Sequence, residues 1–351
     1  MRDGENLFKG CYTATVTPFK ESYKIDFEGL KKLTEFQVEN EVRGILATGT
    51  TGESPTLTWR EHIEVIERVW SACNGSCEFI AGTGSNNTAE ALEATVKCHE
   101  LGVKSILLVD PYYNGPSSLE IRREYVEPIA KRFPEIQIIP YIIPGRTGTQ
   151  LHPQDLALLH ERFNNVNAVK EATGNVENAA SIRRLCGEGF SILSGDDDKT
   201  YELITSEKVK GNGVISVASN VAPKHVKMMV ELLLNGQRDK GLELCEKLKP
   251  LFELVTVKTS EDTPYGQVEC KARNPLPYKT LMNILGIPSG PCRPPLGKMT
   301  RKGVQVVLTK ARAVYETSPE ILEPVEKFFD VDLSKRLYEE KYWRGLAYEE
   351  Y

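Results

Sequence analysis

A chain of 351 residues, 40% of them hydrophobic and 26% charged, is long enough to bury a sizeable core and predicts one large domain, or one with a smaller companion. Its formal net charge of -5, with no long basic block, gives no electrostatic footprint for nucleic acid or for anionic membrane. A small, non-polymeric substrate is the better default.

Met1-Arg2-Asp3-Gly4-Glu5-Asn6 at the start has no apolar core of the kind a signal peptide needs, and no later segment approaches the length of a membrane span. The expectation is a cytoplasmic protein, with a processed plastid protein as the alternative. The eight cysteines are scattered. The close pair, Cys73 and Cys77, has neither a second pair at zinc spacing nor a nearby histidine, so the thiols read as reduced and mostly packed. His62, His99, His152, His160 and His225 form no metal motif, and no metal is expected.

Short β-rich runs alternate with amphipathic helical patterns along the chain: Cys11 to Phe19, Gly44 to Gly49, Phe79 to Gly84, Ser105 to Asp110, Gln137 to Ile143, Val166 to Ala172, Ser191 to Gly195 and Gly213 to Ala218. Eight strands with helix-length segments between them predict an α/β chain folded as a (β/α)8 TIM barrel. A doubly wound sheet competes with it. That fold wants a dinucleotide fingerprint, and Gly82-Thr83-Gly84 runs on into Ser85-Asn86-Asn87 without the third glycine.

After the eighth run the texture changes. His225 to Leu234, Lys240 to Val257 and Val304 to Tyr315 predict helices, with no further strand, and Leu244, Leu248 and Leu251 share one helical stripe facing a core. This divides the chain into a catalytic barrel over 1–235 and a C-terminal helical domain with an extended tail over 236–351. The polar stretch Lys258 to Arg273 reads as a loop or insertion, and the tail from Asp330 to Tyr351 is charged with interleaved aromatics.

Lys170 stands in the apolar stretch Val166 to Ala172, a strand with an amine inside it. Desolvation disfavours an ammonium ion, so a lysine held there is a nucleophile capable of forming a Schiff base with a ketone. Alone it reads more simply as a strand-end lysine whose head reaches water. In a barrel, however, the C-terminal ends of the strands form the active face, and the polar groups gather there. Thr50 and Thr51 follow the second run, Tyr113 the fourth, Tyr141 and Arg146 lie on or after the fifth, and Lys170 ends the sixth. A glycine-flanked loop holds a carboxylate, a tyrosine relays protons, an arginine clamps a second carboxylate, and the lysine attacks a keto carbon. That set suits a 2-oxoacid aldolase of the Schiff-base type, in which the protonated imine is the electron sink and no cofactor is needed.

Gly49-Thr50-Thr51-Gly52-Glu53-Ser54, Asp110-Pro111-Tyr112-Tyr113-Asn114, Pro144-Gly145-Arg146-Thr147-Gly148, Val169-Lys170-Glu171-Ala172-Thr173-Gly174-Asn175, Ser194-Gly195-Asp196-Asp197 and Gly213-Val214-Ile215-Ser216-Val217 together carry a resemblance. In order, they closely resemble the 4-hydroxy-tetrahydrodipicolinate synthase (dihydrodipicolinate synthase) family of the class I aldolase superfamily, from about Gly10 to about Leu296. The resemblance implies a lyase that condenses pyruvate with L-aspartate 4-semialdehyde at the entry to the diaminopimelate route of lysine biosynthesis. It implies the imine on Lys170, the pyruvate carboxylate on Thr50 and Thr51, and a proton relay of Tyr141, Thr51 and Tyr113, the last from a neighbouring subunit. Arg146 would bind the semialdehyde carboxylate, and Ile215 and Gly195 would line the pocket. The implied assembly is a homotetramer, a dimer of dimers.

The resemblance further implies a feedback site for L-lysine at a dimer interface, formed by Asn86, Glu90, His62 and Tyr112, with Trp59 resembling the tryptophan of plant-type members. A carboxylate for the amine, with amide and phenol donors for the carboxylate, makes chemical sense of that set. The plainer alternative has Glu90 and His62 as solvated helix residues.

Sister pyruvate-dependent enzymes, N-acetylneuraminate lyase-like or sugar-acid aldolases, share the lysine and a tyrosine but are less similar around Arg146, and usually carry serine where Thr50 stands. A site built on a guanidinium rejects a polyhydroxyl aldehyde that leaves it unpaired. A non-catalytic barrel, a scaffold or ligand-binding protein, needs none of these residues together. Three departures from the family pattern stand out: Ile142 where asparagine is usual, the longer stretch Lys258 to Arg273, and the tail beyond about Thr317. In that tail Tyr338, Tyr342, Trp343 and Tyr348 fit either packing on a neighbouring subunit or a terminal helix.

Overall fold

The computed structural model describes residues 7–351; the stretch 1–6, read above for a signal sequence, lies outside the described residues. Eight strands close a parallel barrel in chain order: β1 (Gly10–Ala14), β2 (Gly44–Ala47), β3 (Glu78–Gly82), β4 (Ser105–Val109), β5 (Gln137–Ile142), β6 (Ala168–Glu171), β7 (Ser191–Ser194) and β8 (Gly213–Ser216). The ring shuts where β8 pairs with β1, Tyr12 opposite Ile215. Each of the eight expected runs overlaps one of these strands; β1 and β3 begin one residue before their runs, and every strand ends before its run does, because the C-terminal residues turn into the loops of the active face.

Alternation along the strands builds two apolar layers. Ile45 and Ala47, Ile106 and Leu108, and Ile138 and Ile142 belong to the layer between strands and helices, whereas Leu46, Leu107, Ile139 and Tyr141 belong to the cluster inside the barrel. The same parity governs β6. Val169 packs outward, Ala168 and Ala172 pack inward, and Lys170 shares their side of the strand. Ile142 is fully buried in the outer layer. The apolar side chain that replaces the usual asparagine therefore faces the helices and adds to that core.

The helix Trp59–Cys73 shows how the local sequence sets one wall of the active face. Thr58 caps it by accepting from Glu61 N, and Glu61 in turn accepts from Thr58 N, a reciprocal pairing that satisfies two otherwise orphaned donors. Its start is thereby set at Trp59, which decides where His62 falls one turn later.

Beyond β8 lie the helices Pro223–Leu234, Arg238–Phe252, Leu276–Leu285 and Arg301–Thr317, then the shorter Glu323–Phe329 and Leu333–Tyr338. Leu248 and Leu251 are fully buried, each contributing about 2 kcal/mol by burial, and Leu244 packs beside them. Their core is continuous with barrel residues Cys11, Val16, Leu33 and Phe36, so the helices are joined to the barrel through packed apolar surface.

Two expectations for this part are corrected. The helix expected to reach Val257 stops at Phe252, and Lys258 to Arg273 forms most of an antiparallel hairpin, β9 (Thr256–Thr263) and β10 (Gly266–Arg273), rather than a loop. Thr263 pairs with Gly266, leaving Pro264 and Tyr265 as a two-residue turn, and Gly266 has φ +112°. The strands were hard to read because most of their side chains are polar and exposed, which hides the period of two. The tail packs on its own chain. Tyr348 N donates to Met299 O at 3.0 Å, Trp343 joins the helical core, and the guanidinium of Arg336 lies 4.6 Å from the Tyr342 ring centroid. Arg336 also donates to the carbonyls of Asn283 and Ile284 at the end of the helix Leu276–Leu285. Among the described residues, no helix is long and apolar enough to cross a membrane.

Candidate active site

Register brings Lys170 and Tyr141 side by side, since β5 and β6 pair with these two residues opposite each other. The amine lies 4.2 Å from the phenol ring centroid, and Lys170 is only 4% exposed. Burial lowers its pKa to about 8, against the opposing pull of Asp196 and Asp197 and with a small further push from Arg146. Near neutral pH a useful fraction of the amine is uncharged and nucleophilic. Burial also pushes the Tyr141 phenol well above its ordinary value, so it is a proton-bearing group at any working pH.

The threonine loop after β2 is held in an uncommon backbone. Thr48 and Glu53, which bracket Thr50 and Thr51, have φ +55° and φ +56°, a left-handed conformation that a β-branched threonine rarely adopts. Several contacts over-determine it. Thr48 Oγ1 donates to Gly82 O at 2.9 Å, and Glu53 Oε1 pairs with Lys279 Nζ at 2.6 Å in an almost fully buried ion pair. Lys279 Nζ also donates to Thr17 O and Pro291 O, and Glu53 Oε2 accepts from Arg293 N, so little of the charge is left uncompensated.

The two threonines part company. The hydroxyl that acts on the Tyr141 phenol is that of Thr50, whereas Thr51 Oγ1 accepts from Asn274 Nδ2 at 3.0 Å. A relay expected through Thr51 thus finds Thr50 at the phenol instead. Arg146, on the short helix Pro144–Thr147 after β5, is exposed, with Nη2 donating to Asn274 O at 3.0 Å. Arg273 Nη1 donates to Gly145 O at 3.2 Å, so the foot of the hairpin holds the arginine loop through two hydrogen bonds.

Gly195 directly follows β7, and Ile215 lies within β8. Gly195 N donates to Glu171 O at 2.7 Å. A Cβ at Gly195 would lie 2.7 Å from Ala172 Cβ and 3.2 Å from Lys170 Cε, so only glycine leaves room for the lysine stem. Ile215 is fully buried inside the barrel. Tyr113 does not join the group. It is 93% exposed with φ +81° and does not line the cavity that Thr50, Tyr141 and Arg146 share.

A cavity of about 210 Å³ opens at this face, its lining including Thr50, Tyr141, Arg146, Ser54, Gly82 and Tyr112. Tyr112 is the member of the expected regulatory set that lines it. Tyr112 N donates to Asn86 Oδ1 at 2.7 Å, and Glu90 accepts from Ser85 Oγ at 2.6 Å. Trp59 stacks on His62, centroids 4.7 Å apart. His62 is not a solvated helix residue: it is 2% exposed, its Nε2 lies 2.7 Å from Gly82 O, and burial lowers its pKa to about 4. A larger cavity of about 540 Å³, between the hairpin and the C-terminal tail, touches none of the candidate catalytic residues.

Sequence reasoning missed two groups. Asp196, within Ser194-Gly195-Asp196-Asp197, is the charge that most strongly favours the ammonium form of Lys170, and burial raises its own pKa to about 6. Asn274 carried no sequence signal, because it meets Thr51 only across the fold.

Fold and site define the class: a (β/α)8-barrel enzyme with a buried, weakly basic lysine at the C-terminal mouth. The sequence profile of the Dihydrodipicolinate synthetase family matches residues 7–313. The 4-hydroxy-tetrahydrodipicolinate synthase of Methanococcus vannielii is 41% identical over 293 residues, 84% of this chain and 94% of the relative. Among solved structures, the dihydrodipicolinate synthase of Cyanidioschyzon merolae with lysine bound aligns with a TM-score of 0.80 at 36% identity, over 88% of this chain and 99% of that one. The chloride-inhibited enzyme of Acinetobacter baumannii complexed with pyruvate aligns at 0.79 and 30% identity, over 87% and 98%. The chain belongs to the dihydrodipicolinate synthetase family and is a lyase.

Proposed function

We propose that the chain condenses pyruvate with L-aspartate 4-semialdehyde to 4-hydroxy-tetrahydrodipicolinate, in the cytoplasm, as a step of lysine biosynthesis by the diaminopimelate route. The observation that carries this is the Lys170 amine, buried and only weakly basic, 4.2 Å from the Tyr141 ring, in a chain whose relatives bear that enzyme's name. The amine adds to C2 of pyruvate and water leaves, giving the imine. Loss of a proton from the methyl carbon gives the enamine, with the imine nitrogen taking the electron pair. The enamine carbon adds to the aldehyde, whose oxygen takes a proton, and the amine of the semialdehyde then attacks C2, closes the ring and expels Lys170.

Thr50 and Thr51 hold the pyruvate carboxylate, and Arg146 binds that of the semialdehyde. Because the Thr50 hydroxyl is the one that acts on Tyr141, the proton relay runs through Tyr141 and Thr50. Tyr113 completes it from a neighbouring subunit of a homotetramer, a role that its 93% exposure suits. Ile215 and Gly195 line the pocket, and the covalent imine takes the place of a cofactor. L-Lysine inhibits at Asn86, Glu90, His62, Tyr112 and Trp59, a set that reaches the cavity through Tyr112.

The test is an intact mass after borohydride reduction with pyruvate, wild type against Lys170→Ala, followed by turnover of the semialdehyde with and without L-lysine. A pyruvate adduct confined to the wild type, with cyclic product, is expected. An adduct without semialdehyde turnover refutes the substrate, and no adduct refutes the mechanism.

A further inference from the structure

Asn274 belongs to no barrel strand. It follows β10 directly, its N donates to Val255 O at 2.8 Å across the neck of the hairpin, and the adjoining pair Thr256 and Arg273 closes the ladder. It is 5% exposed. From this rigid foot its two ends reach two different parts of the site: the side-chain amide donates to Thr51 Oγ1, and the backbone carbonyl accepts from Arg146 Nη2.

A threonine hydroxyl has one proton and two lone pairs. If a neighbour accepts that proton, the oxygen turns a lone pair towards whatever lies beyond and repels an anion. If the neighbour donates, the proton stays free to point at the anion. We propose that Asn274 is a positioning residue for the keto acid: its amide occupies a lone pair of Thr51 and leaves the Thr51 proton as a donor to the pyruvate carboxylate. The assignment rests on the Schiff-base reading above, and it divides the work of residue 274. The side chain governs pyruvate, while the backbone carbonyl that holds Arg146 is indifferent to the side chain.

Asn274→Ala and Asn274→Asp test this through the pyruvate concentration that half-saturates borohydride trapping, and through the KM of each substrate. Loss of one well-placed hydrogen bond raises the pyruvate requirement about tenfold in Asn274→Ala. Asn274→Asp is hit harder near neutral pH, about a hundredfold, because the carboxylate both takes the Thr51 proton and repels the substrate. Measured against wild type at each pH, Asn274→Asp recovers as the pH falls and the new carboxyl becomes a donor. The KM for the semialdehyde and the unfolding midpoint stay near wild type in both variants. Half-saturation within twofold of wild type in both variants overturns the proposal, as does a parallel rise in the KM of both substrates. A wild-type protein that traps no pyruvate overturns the Schiff-base reading itself, and the role of Asn274 with it.

Discussion

Replacing Lys170 by methionine keeps the length and apolar stem of the side chain and removes the charge that the barrel interior disfavours. An ordinary lysine titrates near 10.5, and burial brings Lys170 to about 8, a difference equivalent to roughly 3 kcal/mol. Below about pH 8 both folded and unfolded chains carry the proton, and the fold bears the full cost of the buried ammonium. Between about 8 and 10.5 the unfolded chain binds more protons than the folded one, so wild-type stability climbs with pH. Lys170→Met is therefore more stable than wild type by roughly 3 kcal/mol at about pH 7, and the advantage shrinks to roughly 1 kcal/mol by about pH 9.5. Urea unfolding of both proteins across this range measures it, and trapping of pyruvate by wild type rises through the same titration. A methionine variant that is less stable than wild type at neutral pH, or an advantage that does not change with pH, refutes the claim that the amine is held against its solvation.

Asp196→Asn removes the charge that most strongly favours the ammonium form of Lys170, so the trapping profile shifts to lower pH; an unchanged midpoint in cyanoborohydride trapping counts against that contact. Gly195→Ala drives a methyl to within 2.7 Å of Ala172 Cβ and against the lysine stem, costing about 1–3 kcal/mol in denaturant unfolding and most of the trapping rate. Lys279→Met leaves Glu53 buried without its partner and loses about 3–5 kcal/mol of stability, read from the urea midpoint. Under the proposed function, in which the guanidinium binds the second carboxylate alone, Arg146→Ala raises the KM for the semialdehyde at least tenfold while leaving half-saturation by pyruvate within about twofold.

Much of the site was legible because a barrel is a repeating unit. A strand with period two followed by a helix, repeated, implies closure, and closure sends every strand end to one face. Lys170, Tyr141, Arg146 and the threonines could be grouped on that ground. Their neighbours across the fold could not. That Thr50 rather than Thr51 meets the phenol depends on how a strained four-residue stretch between Thr48 and Glu53 is turned, and on what lies behind it. The hairpin escaped because its polar strands bury few side chains, and the place of Ile142 follows from the alternation of β5, which turns it to the helices.

The sequence by itself determined the order of the barrel strands, the parity that places Lys170 with Ala168 and Ala172, and the gathering of the strand ends at one face, because these follow from local periodicity and from the topology that periodicity enforces. Tertiary structure alone decided the pKa of the amine, the pairing of Lys279 with Glu53, and the arrival of Asn274 at Thr51. Each of these depends on burial or on a distance between residues far apart in the chain, and neither quantity exists until the chain has closed on itself.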